Sequence, residues 1–104
     1  MEKAKLQKEL ENRWAIEDCA KEFGVLGDET RLKICYLLCR HPGLSVGDIA
    51  DVLNLSLSAI SHSLRKLSDL GVVKRHRKHK WAYYHLCDTT LTRYIKRSLA
   101  GSVG

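Results

Sequence analysis

The chain has 104 residues, 18 of them Lys or Arg and 12 Asp or Glu, for a formal charge of +6 with neutral histidines. That is room for one small domain spanning 1–104, and 44% apolar residues support a modest core. A collagen, a disordered tail and a two-domain enzyme are excluded. No apolar run approaches the ~18 residues of a membrane span. The opening MEKAKLQKELENRW also lacks the apolar centre of a secretory leader, so a cytoplasmic protein with no membrane partner is expected.

The charge is uneven. Residues 1–64 hold 8 basic and 10 acidic side chains, whereas residues 65–104 hold 10 basic and 2 acidic ones. The densest stretch, K74-R-H-R-K-H-K80, puts five permanent charges and two histidines into seven residues and suits a polyanion. A solvated basic face is the plainer reading of such a run.

In chain order, Leu6, Leu10, Trp14, Cys19 and Phe23 recur at spacings of four or five, which predicts an amphipathic helix over 3–23 ended by Gly24. Asp28 is a candidate N-cap for a second helix from Glu29 to about Arg40, stopped by Pro42-Gly43. Ser45 can cap a short third helix with Asp48 in its first turn, and Asn54-Leu55-Ser56 breaks it. A fourth helix is expected from about Leu57 to Leu70, burying Ile60, Leu64 and Leu67, with Gly71 as the left-handed residue after its end.

The period then changes. V72-V-K-R-H-R and K-W-A-Y-Y-H-L86 read as a β-hairpin over 72–87 with its tip near Lys78-His79. The tip lacks the Asn-Gly or Asp-Gly of a tight turn. Asp88 or Thr89 can cap a last helix over 89–100, where Leu91, Ile95 and Leu99 recur every four residues. The tail from Gly101 to Gly104 should fray.

A short helix, a three-residue turn, a second helix and a hairpin, with the two-helix unit at 45–71, make the order of a winged helix-turn-helix. The expected fold is therefore mainly α with a β-hairpin wing. On the fourth helix Ser58, Ser61, His62 and Arg65 lie at i, i+3, i+4 and i+7 and share the face opposite the apolar stripe. Short hydroxyls let a helix approach bases and phosphates closely, and Arg65 can pair with guanine in a bidentate contact. With Lys74, Arg75, Arg77, Lys78 and Lys80 on the wing behind it, double-stranded DNA is the expected partner. A 104-residue chain with amphipathic helices at both ends has more apolar stripe than one small core covers. The excess should pair in a homodimer through the first and last helices, with Ile95 at the centre of the seam.

Three segments, L26-G-D-E-T-R-L-K-I34, S56-L-S-A-I-S-H-S-L-R-K-L-S-D-L-G-V-V73 and W81-A-Y-Y-H-L86, resemble the successive signatures of the ArsR/SmtB family of metal- and thiol-responsive bacterial repressors. The resemblance covers roughly residues 20–90. It implies a homodimer that releases operator DNA when an inducer binds, with recognition residues at Ser56, Ser58, Ser61, His62 and Arg65. Two of the family's metal sites are empty here. Ser45-Val46-Gly47 stands where many members have Cys-Val-Cys. Of a second set only Asp88 remains, with Thr90, Gly101 and Gly104 at the other three positions. His79 stands where the family's wing usually has glycine.

The remaining sensing candidates are Cys35 and Cys39, four apart on one helix and so on one face, with Cys19 or Cys87 as a third ligand. Such thiols suit arsenite, cadmium or zinc, or oxidation by reactive sulfur, whereas core packing is the plainer reading of Cys35. Sulfide-responsive relatives pair a cysteine at the Cys35 position with one late in the last helix, which this chain lacks. Strand alternation is expected to point His76, His79 and His85 apart, as ordinary residues of a solvated wing. No redox C-x-x-C, Ser-His-Asp set or glycine-rich phosphate loop marks an enzyme. A constitutive DNA-binding regulator whose cysteines only pack, and a protein-interaction module on the same fold, are the alternatives.

Overall fold

The computed structural model describes residues 3–9, 23–24 and 27–101. Of the stripe expected on the first helix, Leu10, Trp14 and Cys19 lie outside these, as do the tail residues 102–104. The first described helix, α1, is Lys3–Glu9. Gly24, expected to end the first helix, is itself helical, and the Gly27 N–H closes a helical bond to the Phe23 carbonyl at 2.8 Å. Glycine without positive φ costs a helix only a fraction of a kcal/mol to about 1 kcal/mol, too little to stop it alone.

Helix α2, Glu29–Arg40, begins where the Asp28 carboxylate accepts the Arg31 N–H at 3.1 Å. It ends at Arg40 with His41 as its C-cap, and Gly43, at φ 86°, carries the chain into β1, Leu44–Ser45. This strand was not expected. It pairs antiparallel with the wing, Leu44 opposite Tyr84 and Ser45 opposite Tyr83. Ser45 then caps α3, Val46–Leu53, in a reciprocal box: its hydroxyl accepts the Asp48 N–H and the Asp48 carboxylate accepts the Ser45 N–H, both at 3.1 Å. Asn54, left-handed at φ 56°, makes the turn into α4, Leu57–Asp69. Asn is among the few side-chain-bearing residues that tolerate this backbone.

Gly71, at φ 75°, turns the chain from α4 into β2, Val73–Lys78, which pairs with β3, Trp81–Leu86. The sheet order is β1-β3-β2. The register runs from Val73 opposite Leu86 to Lys78 opposite Trp81, so the loop is His79-Lys80, one residue beyond the expected tip. His79 takes a positive φ of 60°, the backbone glycine would adopt at less cost.

Of the two candidate caps for the last helix, α5, Thr90–Gly101, the structure uses Thr89. The Thr89 hydroxyl accepts the Thr92 N–H at 3.0 Å, and the Thr92 hydroxyl accepts the Thr89 N–H at 2.8 Å and donates to the Cys87 carbonyl at 2.6 Å. Thr92 is fully buried, and these bonds satisfy it. Asp88 instead pairs with Arg93 at 2.8 Å, and that bond holds the Asp88 carboxyl below the usual carboxylate range.

The core joins Ile34, Cys35 and Leu38 of α2, Ile49 and Ala50 of α3, Ile60, Leu64 and Leu67 of α4, Val72 and Val73 at the wing's base, and Leu91 and Ile95 of α5. This corrects one expectation. Ile95 is only 1% exposed within a single chain, because α5 packs on α2, so it belongs to the subunit core rather than to the centre of a dimer seam. Among the described side chains of α5, the large hydrophobic one left open is Tyr94, 58% exposed.

Replacing His79 by glycine should stabilise the fold by about 0.5 kcal/mol, the relief of a left-handed non-glycine residue less glycine's greater unfolded-state entropy. A higher urea midpoint at unchanged slope checks it.

Candidate nucleic-acid interface

Helix α4 separates its chemistry by face. Ile60, Leu64 and Leu67 are buried, whereas Ser58, Ser61, His62 and Arg65 are exposed as expected. With Leu57 these four polar residues line a concavity of about 400 Å³. Ser56 precedes the helix and is engaged locally: its oxygen accepts the Ala59 N–H at 3.1 Å, so it caps α4 and still has its hydroxyl hydrogen to offer a partner.

A second concavity, about 390 Å³, lies between α4 and the wing. Its walls are Ser61, Arg65 and Ser68 on the helix, Arg75, Ala82 and Tyr84 on the strands, and Val46 at the start of α3. Ser61 and Arg65 line both concavities, which adjoin along α4. Two guanidinium groups, Arg65 from the helix and Arg75 from the wing, and no carboxylate line the second, a groove that suits an anion.

The pleat divides the five wing cations rather than gathering them. Arg75 and Arg77 alternate with buried Val73 on the face toward α4, while Lys74 and Lys78 stand on the opposite face, across from His85 and Trp81. Lys80 is at the tip with its ammonium 5.5 Å from the centre of the Trp81 ring. Sequence reasoning missed Ser68, although it continues the 58, 61, 65 spacing by three. It also missed Tyr84, which stands opposite Arg75 in the hairpin, and Val46, which follows the strand that β1 adds beside β3.

The wing histidines require a second correction. His76 and His85 were expected to point apart. They share the outer face of the sheet, with their Nδ1 atoms 3.1 Å apart and ring centres 4.9 Å apart. In this register Lys74 faces His85 and His76 faces Tyr83, so the two histidines are diagonal neighbours. His79 stays at the tip, apart from them.

Among the cysteines, Cys35 is wholly buried, and burial, with a smaller contribution from Cys39, pushes its thiol up to about 12. Cys39 is half-buried; burial raises its thiol, and the Lys96 ammonium pulls part of that back. It lines a cleft of about 200 Å³ between α2 and α5 with Tyr36, Arg40, Lys96 and Leu99. Cys87 follows β3, its N–H bonded to the Val72 carbonyl at 2.9 Å, and does not join the pair. Among the described residues no three His, Cys, Asp or Glu side chains gather within reach of one metal ion. Cys19 lies outside those residues.

A two-helix unit with a buried apolar stripe, an exposed Ser/His/Arg helix face and a basic hairpin flanking it define a winged helix-turn-helix transcription regulator of the DNA-binding class. Comparison with known proteins agrees. The family described as "Bacterial regulatory protein, arsR family" matches residues 28–75. The cadmium resistance transcriptional regulatory protein CadC homolog of Staphylococcus aureus is 37% identical over 81 residues, 78% of this chain and 67% of that protein. The cadmium resistance regulator CadC of Listeria innocua is 42% identical over 64 residues, 62% of this chain and 54% of its own length. The chain thus spans between about half and two-thirds of these cadmium regulators. The crystal structure of the transcriptional repressor PagR of Bacillus anthracis superposes with a TM-score of 0.71 at 30% identity, covering 83% of this chain and 98% of that one. The chain belongs to the arsR family of bacterial regulatory proteins.

The burial of Cys35 has a measurable sign. The unfolded chain ionises this thiol near 9.0 and the folded chain only near 12, so the protection is complete below pH 9 and is lost as pH rises toward 12. Urea midpoints should fall across that window, and Cys35→Val should flatten part of the decline. At pH 8, iodoacetamide should modify Cys39 and Cys87 well before Cys35, as read by mass spectrometry.

Proposed function

We propose that the chain is a homodimeric, sequence-specific repressor of double-stranded operator DNA, with residues 1–104 as one winged helix-turn-helix domain acting in the cytoplasm. The observation that carries this reading is the concavity in which Ser61 and Arg65 of α4 meet Arg75 of the wing. In this reading α4 enters the major groove. Arg65 pairs with a guanine edge, Ser58, Ser61 and His62 contact bases or phosphates, and Ser56 donates to a phosphate. Arg75, Arg77, Lys74, Lys78 and Lys80 then hold the flanking backbone. Two copies place their helices about one helical turn, roughly 34 Å, apart on a two-fold operator. Repression is supported by the likeness to PagR, itself a transcriptional repressor.

The inducer reading takes Cys35 and Cys39 as the place where a thiophilic ion such as arsenite, cadmium or zinc, or a reactive sulfur species, loosens DNA. It is supported by the likeness to regulators named for cadmium resistance and by the cleft beside Cys39. An effector acts only through differential affinity for two states, so its coupling of about 1–3 kcal/mol would weaken DNA binding about 5- to 150-fold. One observation favours a second reading, a constitutive regulator whose cysteines pack. The Cys35 thiol is fully buried and raised to about 12, which holds back the thiolate that a metal or an oxidant needs. Cys39→Ser separates the two. It should keep DNA binding and abolish release by arsenite, cadmium, zinc or persulfide; release identical to wild type assigns the pair to packing.

For DNA itself, Arg65→Ala should cost about 1–3 kcal/mol and relax sequence preference. Lys78→Ala should weaken all duplexes alike and reduce the salt slope by about 1. Fluorescence anisotropy on cognate and random duplexes across a salt series reads both, and equal affinity for both duplexes with no salt slope would refute the reading.

The dimer seam is taken to include Tyr94, which α5 leaves exposed, together with the first helix. Tyr94→Asp should give folded monomers by sedimentation, whereas Ile95→Asp should unfold the subunit by burying an unpaired charge. A wild-type monomer at micromolar concentration would overturn the homodimer.

A further inference from the structure

The outer face of the wing carries a pair of side chains that the DNA-binding reading does not use. His76 on β2 and His85 on β3 bring their Nδ1 atoms to 3.1 Å. With both rings neutral, this distance is an ordinary hydrogen bond in which one Nδ1–H donates to the other Nδ1. It is also the separation two nitrogens take on one metal ion. With bonds of about 2.0–2.1 Å, they lie roughly 2.9 Å apart at a right angle and roughly 3.3 Å apart at the tetrahedral angle.

The placement comes from the sheet rather than from a loop. The ladder sets Lys74 opposite His85 and His76 opposite Tyr83, and the Tyr83 ring lies 6.0 Å from that of His76. Neither histidine touches the groove between α4 and the wing, whose strand residues are Arg75, Ala82 and Tyr84.

We propose that His76 and His85 form a two-imidazole site for a divalent transition-metal ion on the outer face of the wing. The ligand chemistry selects the ion. Imidazole nitrogen suits zinc, nickel or copper, while calcium and magnesium require oxygen donors, which this pair does not offer. Lys74 and Lys78 stand on the same face, so the nitrogen–metal bonds must outweigh their repulsion.

Binding converts the hydrogen bond into two coordinate bonds. Each Nδ1 donates its lone pair, and the ring that carried its proton on Nδ1 is reprotonated on Nε2, with no net proton released. Water fills the remaining positions.

The test needs no DNA, so it stands apart from the regulatory reading. The full chain is titrated with zinc(II) and followed by imidazole proton–nitrogen NMR. The expected result is that the Nδ1 signals of His76 and His85 move together with one midpoint while His79 stays still. His76→Gln should weaken zinc binding at His85 about tenfold or more, His85→Gln should do the same at His76, and His79→Gln should leave both unchanged. Circular dichroism confirms that each variant is folded. The proposal is overturned if zinc leaves both rings unmoved, if the two titrate with separate midpoints, or if either Gln variant leaves the other histidine's affinity intact.

Discussion

The start of the helix-turn-helix is tied to the wing at two residues, Leu44 and Ser45. Through β1 they add a third strand to the hairpin, and Ser45 then caps α3 with the side chain of the same residue whose backbone pairs with Tyr83. Sheet and helix-turn-helix therefore share an atom-level joint, not a linker. This joint acts on the groove lined by Val46, Arg65, Arg75 and Tyr84 together with the turn at Gly71 and with Val72 and Val73, which pack in one core with Ile60, Leu64 and Leu67.

Around that joint the energetics are those of a small domain with a single core. Helices α2 to α5 each contribute one apolar stripe, and α4 contributes the clearest: Ile60, Leu64 and Leu67 are fully buried while Ser61, His62, Arg65 and Lys66 face solvent. Burial of each such side chain stabilises by about 1.5–3 kcal/mol before chain entropy is set against it. The polar face is thus carried at no cost to packing. Surface charge away from the core adds little stability, as in the exposed Lys33 and Glu29 pair at 3.2 Å, and is left available for a partner.

What the sequence made legible was what depends on near neighbours. Asp28, the Ser45–Asp48 box, Ser56 as the residue before α4, and Gly71 all act within four residues, so their spacing alone carries the signal. The outer face of α4 followed from helical period in the same way. Legibility failed where the partner is remote. A two-residue strand has no period to detect, so β1 was invisible until Tyr83 and Tyr84 were placed beside it. Ile95 sits on a true apolar stripe, but a stripe does not say whether its own chain or a second copy covers it, and here α2 does. His76 and His85 were separated by counting along each strand. In a two-residue hairpin even positions of one strand share a face with odd positions of the other, which brings the pair together. The cysteine question was partly legible: the i, i+4 spacing is real, but only burial distinguishes the sealed Cys35 from the half-open Cys39.

The buried threonine at the start of α5 gives the molecule a mechanical property. Val72 and Cys87 close the base of the wing with a backbone bond of 2.9 Å, and the Thr92 hydroxyl is bound to the carbonyl of that same Cys87 at 2.6 Å. The wing's hinge and the first turn of the last helix are consequently one rigid knuckle. A tilt of α5 is delivered to the hairpin as a swing rather than dissipated in slack chain. Since the tip at His79-Lys80 lies seven residues beyond Val72 and Cys87, at about 3.3 Å per residue, a few degrees at the knuckle become a displacement on the order of an ångström at Lys80. The basic arm is thus the long end of a lever whose short end is the first turn of the last helix.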